Sequence, residues 1–270
     1  MMSKYIVNII FLIIYPFFSY SQVSICSWNI QNFGKSKDAT EIEYIANTIK
    51  MYDAVAIIEV VAGNGGAQAV ARLHDALNRK GFKWDYVVSD PTSSIGRGSE
   101  RYAVLWKTKK ITKIGAAWLE KKYSDEIERE PFYITFKSGT TKFTLAVFHA
   151  VPTSKKPEIE IKYLQHIPDE YPQNNIVFCG DYNCSQSNKS FKELKEKGYK
   201  PILIDQKTSL RNKCIEDDCL ASEYDNMFYK PSKIKFLKSG IIPFYLNFTT
   251  IKEAKEISDH VPIFFEFYLN

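Results

Sequence analysis

The spacing of apolar positions changes several times along the chain, and each change marks an element. Residues 38–52 place Ile42, Ile45, Ala46 and Ile49 on one helical face, and Asp38 with Glu41 has the spacing of a capping box, so a helix is predicted there. The next run, AVAIIEVV (Ala54 to Val61), is β-branched and apolar apart from Glu59 and predicts a buried strand. A second helix is predicted from about Ala67 to Lys80, with Gly81 as its stop. Strand patterns follow at 84–88, 101–106, 131–136 and 142–148, then a helix near 157–167, a strand at 175–179 and a helix near 190–197. Further strands are predicted near 225–229, 242–246 and 261–268. Several neighbouring strands have no helix between them, which excludes a purely parallel sheet and predicts mixed sheets covered by helices.

Ahead of these elements stands MMSKYIVNIIFLIIYPFFSYSQ, with Lys4, an apolar segment from Tyr5 to Phe18, and small residues Ser19 and Ser21. This is the pattern of a signal peptide over residues 1–22, leaving one domain over 23–270. An uncleaved membrane anchor is the alternative, opposed by Pro16 and by the shortness of the apolar run. A lipid anchor on Cys26 is opposed by the bulk of Ile25. Cleavage predicts a secreted or periplasmic monomer with no stable membrane association.

Composition adds limits. Of 270 residues, 45% are hydrophobic and 14% aromatic, enough for a packed core and too much for a disordered chain. Losing Lys4 with the leader lowers the formal charge from +5 to +4, a mild excess. KTKK (Lys107 to Lys110) and TSKKP (Thr153 to Pro157) are basic runs that would suit a polyanion or simply lie in water. Of the five cysteines, Cys214 and Cys219 are spaced to close a small loop, and the odd number leaves at least one unpaired. The histidines are not clustered with the cysteines, so zinc is not indicated.

Polar residues recur at strand ends. ICSWNIQNFG carries Asn29 and Gln31, AVAIIEVV carries Glu59, FTLAVFHAVP leads to His149, and NNIVFCGDYN leads to Asp181 and Asn183. SEYDNMFY has Asp225 where a strand begins, and EISDHVPIFF has Asp259 and His260 before the last strand. A turn explains any one of them. Together they point to a site, because a carboxylate at the mouth of a core loses hydration and needs a cation, a metal or hydrogen bonds. Glu59, Asp259 and Asn29 are hard oxygen donors suited to Mg²⁺ or Mn²⁺. Two histidines, each with a candidate carboxylate partner, suit acid and base roles in cleaving a phosphate ester.

At this point the motifs WNIQNFG, IIEV, SERYAVLW, EREPFYITF, VFHAVP, GDYN, YDN and SDHVP, in this order, resemble the endonuclease/exonuclease/phosphatase superfamily, most closely its deoxyribonuclease I branch. The resemblance spans nearly all of the chain after the leader. It implies an α/β (α+β) fold, a four-layer sandwich of two mixed β-sheets flanked by helices, with the site where strand ends converge. It further implies Glu59 as chief metal ligand with Asn29 and Asp259, and His260 paired with Asp225 as the base that activates water. His149 paired with Glu100 would protonate the leaving 3′ oxygen. Asp181 and Asn183 would hold the nucleophile and phosphoryl oxygens, while Arg129 and Tyr102 grip the phosphate backbone. DNA is the implied substrate.

The chain departs from that branch in places. Ile58 precedes the key glutamate where the family often has Gln. The branch's disulfide joins regions that here hold Cys184, Cys214 and Cys219, but the spacing fits poorly and assigns no bridge. Loop acids for a structural Ca²⁺ are not matched. The superfamily also contains sphingomyelinases and inositol polyphosphate phosphatases. For the former, SGIIPFYLNFTT (Ser239 to Thr250) reads either as a membrane-entering hairpin or as an ordinary strand. A binding protein without turnover is the reading from another class, and retention of each acid, base and ligand position opposes it.

Overall fold

The computed structural model describes residues 22–94 and 98–270; the predicted leader lies outside them apart from Gln22. Gln22 already pairs with Tyr268 in a sheet.

The strands are β1 (Gln22–Phe33), β2 (Ala54–Val61), β3 (Trp84–Val88), β4 (Glu100–Lys107), β5 (Thr112–Leu119), β6 (Phe132–Ser138) and β7 (Thr141–His149). They continue as β8 (Ile176–Asp181), β9 (Lys200–Pro201), β10 (Leu210–Ile215), β11 (Asp218–Leu220), β12 (Asp225–Tyr229), β13 (Ile234–Ile241) and β14 (Ile263–Leu269). The helices are α1 (Ala39–Ile49), α2 (Gly66–Asn78), α3 (Glu158–Ile161), α4 (Ile167–Glu170), α5 (Lys192–Glu196) and α6 (Ile251–Ile257).

Two six-stranded sheets result, in the orders β13-β14-β1-β2-β4-β3 and β5-β6-β7-β8-β12-β9. Both are mixed: β1 with β2 and β7 with β8 run parallel, while β2 with β4 and β6 with β7 run antiparallel. One apolar layer fills the gap between the sheets, with Ile25, Ala56, Val104, Leu145, Val177 and Phe265 among its members. A second lies between the first sheet and α1, α2 and α6, and a third between the second sheet and α3 to α5. The four-layer sandwich predicted from the resemblance is therefore the observed fold.

The predicted α1 forms with its capping box: Asp38 accepts from the Glu41 N–H at 2.8 Å while the Glu41 carboxylate accepts from the Asp38 N–H. Other elements differ from prediction. The segment 157–167 is α3 followed by a 3-10 turn and then α4, with Pro168 in the first turn of α4. The predicted strand at 242–246 is a 3-10 turn over Phe244–Asn247, entered through Pro243, which has no N–H to give a ladder. Its Phe244 is buried, with ring centroids 5.2 Å from Trp28. The tract Ser239 to Thr250 is thus the end of β13 followed by this turn, and its Phe244 packs inward. β5 and β13, sheet-edge strands, and the β10–β11 hairpin went unpredicted. No helix among the described residues is long and apolar enough to cross a membrane.

Candidate active site

The site grows out of the inter-sheet layer. In a strand alternate side chains share a face, and that face carries Phe143, Leu145 and Val147 and then His149 on β7, Val177 and Cys179 and then Asp181 on β8. Asp225 precedes Met227 and Tyr229 on β12, and Glu100 precedes Tyr102, Val104 and Trp106 on β4. Register aligns them, since Asp181 pairs with His149 on one side and with Asp225 on the other. This row requires Gly180: its φ is +156°, and a Cβ there would stand 1.8 Å from the Phe148 carbonyl oxygen.

Glu59 reaches the site by a different route. Alternation alone would turn it toward the helices with Val55 and Ile57. Instead three steps on β2, Ile57 to Val60, oppose two on β4, Ala103 to Arg101, so β2 bulges and Val60 takes the helix-facing place. Glu59 adopts φ +62°, and Asn32 and Asn183 nearby adopt +51° and +49°. Such left-handed backbone in non-glycine residues costs about 1–3 kcal/mol each and collects at functional sites.

Both histidines are buried and paired as expected. His149 Nδ1 lies 2.8 Å from Glu100 Oε1, and His260 Nδ1 lies 2.7 Å from Asp225 Oδ2. Their Nε2 atoms approach the same Asp181 Oδ2 at 3.5 and 3.7 Å. Burial pulls both imidazoles down, but the carboxylates outweigh it. Glu100 and Asp181 leave His149 raised against the opposing Arg129, and Asp225 and Asp181 hold His260 well above its ordinary value. Asp181 is pushed up by burial, yet the two histidines, the Asn183 N–H and the Asn29 amide together keep it low.

Arg129 Nη1 is 3.2 Å from Glu100 and 3.0 Å from His149 Nδ1, and its Nη2 donates to the Ala150 carbonyl. A carboxylate can only accept, so the His149 Nδ1 hydrogen belongs to Glu100 and the guanidinium acts on the ring as a neighbouring charge. Arg129, Glu59, Glu100, Asn32, Gly98 and Lys155 are among the walls of a cavity of about 370 Å³. Asn183 donates from Nδ2 to the Ala150 carbonyl at 3.0 Å and from its N–H to Asp181 at 2.8 Å.

Of the residues expected to hold a metal, Asn29 and Glu59 touch directly. Asn29 Nδ2 donates to Glu59 Oε1 and to Asp181 Oδ2, both at 3.0 Å. That leaves Asn29 Oδ1 buried with no hydrogen-bond partner, a neutral oxygen beside a carboxylate, which fits a hard divalent cation. Asp259 accepts from Gln31 Nε2 at 3.2 Å. Asp181, Asp225 and His260 form a further group whose ligand atoms lie within 4.8 Å of one another.

Tyr102 does not fit its expected role. It is fully buried, donates to the Arg129 carbonyl at 3.2 Å and accepts from the His149 N–H at 3.2 Å, so it supports the site from inside and is not free to grip phosphate. The basic runs are also less open than their charge suggests: Lys107 is buried against the Met51 carbonyl, and Lys155 pairs with Glu128 at 3.0 Å.

Several supporting residues carry no sequence signal. Buried Glu160 accepts from the Glu128 N–H at 2.7 Å and the Val151 N–H at 2.9 Å, which ties the Arg129 loop to the His149 loop. Buried Lys37 donates to the Glu256 carbonyl, and Glu59 and Asp259 lie within its electrostatic reach. The Tyr224 ring stacks on His260 with centroids 6.2 Å apart. Cys214 and Cys219 form a disulfide, closing the β10–β11 hairpin, while Cys184 is free.

Comparison with known proteins agrees with this geometry. The pattern of the Endonuclease/Exonuclease/phosphatase family matches residues 26–260. A deoxyribonuclease of Thioalkalivibrio sp. (strain K90mix) is 27% identical over 281 residues, spanning 95% of this chain and 74% of that protein. Deoxyribonuclease gamma of Homo sapiens is 26% identical over 272 residues, spanning 90% of this chain and 85% of that one. Among solved structures, an endonuclease/exonuclease/phosphatase family protein from Bacteroides thetaiotaomicron superposes with a TM-score of 0.67 at 16% identity, covering 94% of this chain and 100% of that chain.

Proposed function

The chain belongs to the endonuclease/exonuclease/phosphatase family, and from that premise we propose that it is an exported, divalent-metal-dependent phosphodiesterase that cuts DNA with little sequence preference. The observation that carries this reading is the convergence of two buried histidine–carboxylate pairs on one oxygen of Asp181, beside a cavity walled by Glu59 and Arg129. The deoxyribonucleases among its relatives favour DNA as the substrate.

Asn29, Glu59 and Asp259 would hold Mg²⁺ or Mn²⁺, and the ion when bound would supply positive charge against the phosphoryl oxygens. Asp181, kept ionised, accepts a hydrogen from the attacking water and orients it. His260, held by Asp225, takes the water's proton, and His149, held by Glu100, gives one to the leaving 3′ oxygen. Arg129 and Asn183 oppose charge that grows on the phosphoryl oxygens, each worth about 3–4 kcal/mol in the transition state when well placed. The opposite allocation of the histidines also has support: the Arg129 guanidinium 3.0 Å from His149 Nδ1 opposes protonation of that ring and suits it to act as base, while Asp225 and Asp181 favour the protonated form of His260 and suit it to act as acid.

Plasmid nicking by the purified protein tests the proposal. Conversion of supercoiled to open-circular and then linear DNA with Mg²⁺, abolished by EDTA and by His260→Ala, is the expected result. A well-folded protein that leaves plasmid intact with both Mg²⁺ and Mn²⁺ would refute it, and sphingomyelin would be the next substrate tried. Retention of DNA that falls with salt and ignores EDTA would mark a binding protein instead.

A further inference from the structure

The segment 208–210 contains no acid, base or ligand, yet it touches both partners of one catalytic pair. Thr208 is fully buried. Its Oγ1 accepts the N–H groups of Tyr224 at 3.1 Å and Asp225 at 2.9 Å, and stands 2.7 Å from Asp225 Oδ2. A hydroxyl has two lone pairs and one hydrogen. With both lone pairs facing N–H donors, the hydrogen is left to point at Asp225 Oδ2. That same oxygen stands 2.7 Å from His260 Nδ1. An ionised carboxylate has no hydrogen to give, so Oδ2 is an acceptor toward the ring as well and Nδ1 carries a hydrogen. Nε2, facing Asp181 at 3.7 Å, is the nitrogen left to exchange protons with substrate or water.

We infer that Thr208 is a positioning residue: it holds Asp225 as an acceptor and, through Asp225, sets the orientation and hydrogen placement of the His260 ring. The backbone of the same segment anchors this arrangement. The Thr208 carbonyl accepts from the Val261 N–H at 2.8 Å, Leu210 N–H donates to the Asp259 carbonyl at 2.6 Å, and Ser209 forms a β-bridge with His260. Thr208 N–H donates to the Ser222 carbonyl at 2.7 Å. Residues 222–225 and 259–261 are thus laced to one strip of chain, with the Thr208 hydroxyl the side-chain donor at their junction.

The inference rests on His260 acting in phosphodiester hydrolysis as proposed above, so the test pairs a kinetic readout with one that needs neither substrate nor metal. Wild type, Thr208→Val and Thr208→Ser are compared for kcat and KM on DNA with Mg²⁺. The downfield Nδ1 proton resonance of His260 is followed in the metal-free proteins, identified by its loss in His260→Ala. Thr208→Val is expected to lower kcat about 10- to 100-fold with KM nearly unchanged, the range that supporting hydrogen bonds command. It should also shift or exchange-broaden the resonance, and Thr208→Ser should restore both. If valine at 208 prevents folding, Thr208→Ala makes the same comparison. A variant without the hydroxyl that keeps the resonance in place, or that loses it while keeping kcat, overturns the inference. A wild type that cuts no DNA, with the resonance still responding to Thr208, would leave the positioning intact and remove the nuclease reading alone.

Discussion

The two histidine walls of the site use the same parts and reach different states. Each buries an imidazole, points Nδ1 at a carboxylate within 2.8 Å, and turns Nε2 toward Asp181. Beside His149 stands the Arg129 guanidinium, 3.0 Å from Nδ1; beside Asp225 stands the neutral Thr208 hydroxyl, 2.7 Å away. The result is an imidazole raised against an opposing cation on one wall and one held well above its ordinary value on the other. The carboxylates orient both rings and raise their proton affinity, and on the His149 wall the guanidinium opposes that rise.

The largest expected effect comes from deleting either ring. His149→Ala and His260→Ala should each lower the cleavage rate about a hundred- to ten-thousand-fold while leaving folding and DNA affinity nearly intact. A substrate with sulfur in place of the bridging 3′ oxygen separates the walls. A thiolate leaves without a proton, so the variant lacking the acid should recover on that substrate and the variant lacking the base should not. Recovery of His149→Ala would support the allocation expected from sequence; recovery of His260→Ala would support its opposite.

Next in size is Arg129→Met, expected to lower kcat about a hundred- to a thousand-fold by removing a donor to the phosphate. It should also erase the difference between the walls, because losing the cation raises the proton affinity of His149 toward that of His260. An NMR titration of both rings in the metal-free protein measures this, and an unchanged His149 would show that the guanidinium does not set its state.

Asp225→Asn acts in the other direction and on the other wall. It removes the main group raising His260, so the titration of that ring should fall, with His149 nearly unmoved. The linkage sign follows. A histidine raised in the folded state stabilises the protein most below its ordinary value of 6.5, and that contribution is lost as pH rises through the folded value. Wild type should therefore lose stability relative to Asp225→Asn as pH rises above 6.5, as read from denaturant midpoints of the metal-free proteins.

The smallest effect on turnover is expected from replacing Cys214 and Cys219 with Ser. A loop this short contributes about 2 kcal/mol on the chain-entropy account. The hairpin it closes starts at Leu210, whose N–H donates to the Asp259 carbonyl beside His260, so any change in ring dynamics should appear at His260 and not at His149.

Much of this architecture was open to reading because the candidate site residues continue the alternation of the core. His149 follows Phe143, Leu145 and Val147 on one face, and Asp181 follows Val177 and Cys179, so strand period assigns each to a face with its core neighbours, and packing of the two sheets decides that this face is the inter-sheet one. The edge strands escaped for the converse reason. Residues of β5 are partly or largely exposed along its whole length, and β13 alternates little and carries Lys235 and Lys238, as an edge that avoids pairing with other chains does. Tyr102 was misassigned since its motif resembles a substrate-contacting stretch, whereas its strand position buries the ring.

The linear sequence by itself determined the alternation of the core strands, the α1 cap and the order of the motifs, because these depend on local period and on residues that end or begin core strands, while the carboxylate partner of each histidine came from the family resemblance those motifs carry. Tertiary structure decided the rest. The β2 bulge turns Glu59 away from the helices, Glu160 fixes the Arg129 loop through two backbone N–H groups, and Thr208 reaches Asp225 from a segment with no regular pattern. Asp259 is drawn to Gln31 across 228 positions of chain. Register shifts and contacts over such separations depend on how two sheets pack together, and no window of sequence contains both sides of that packing.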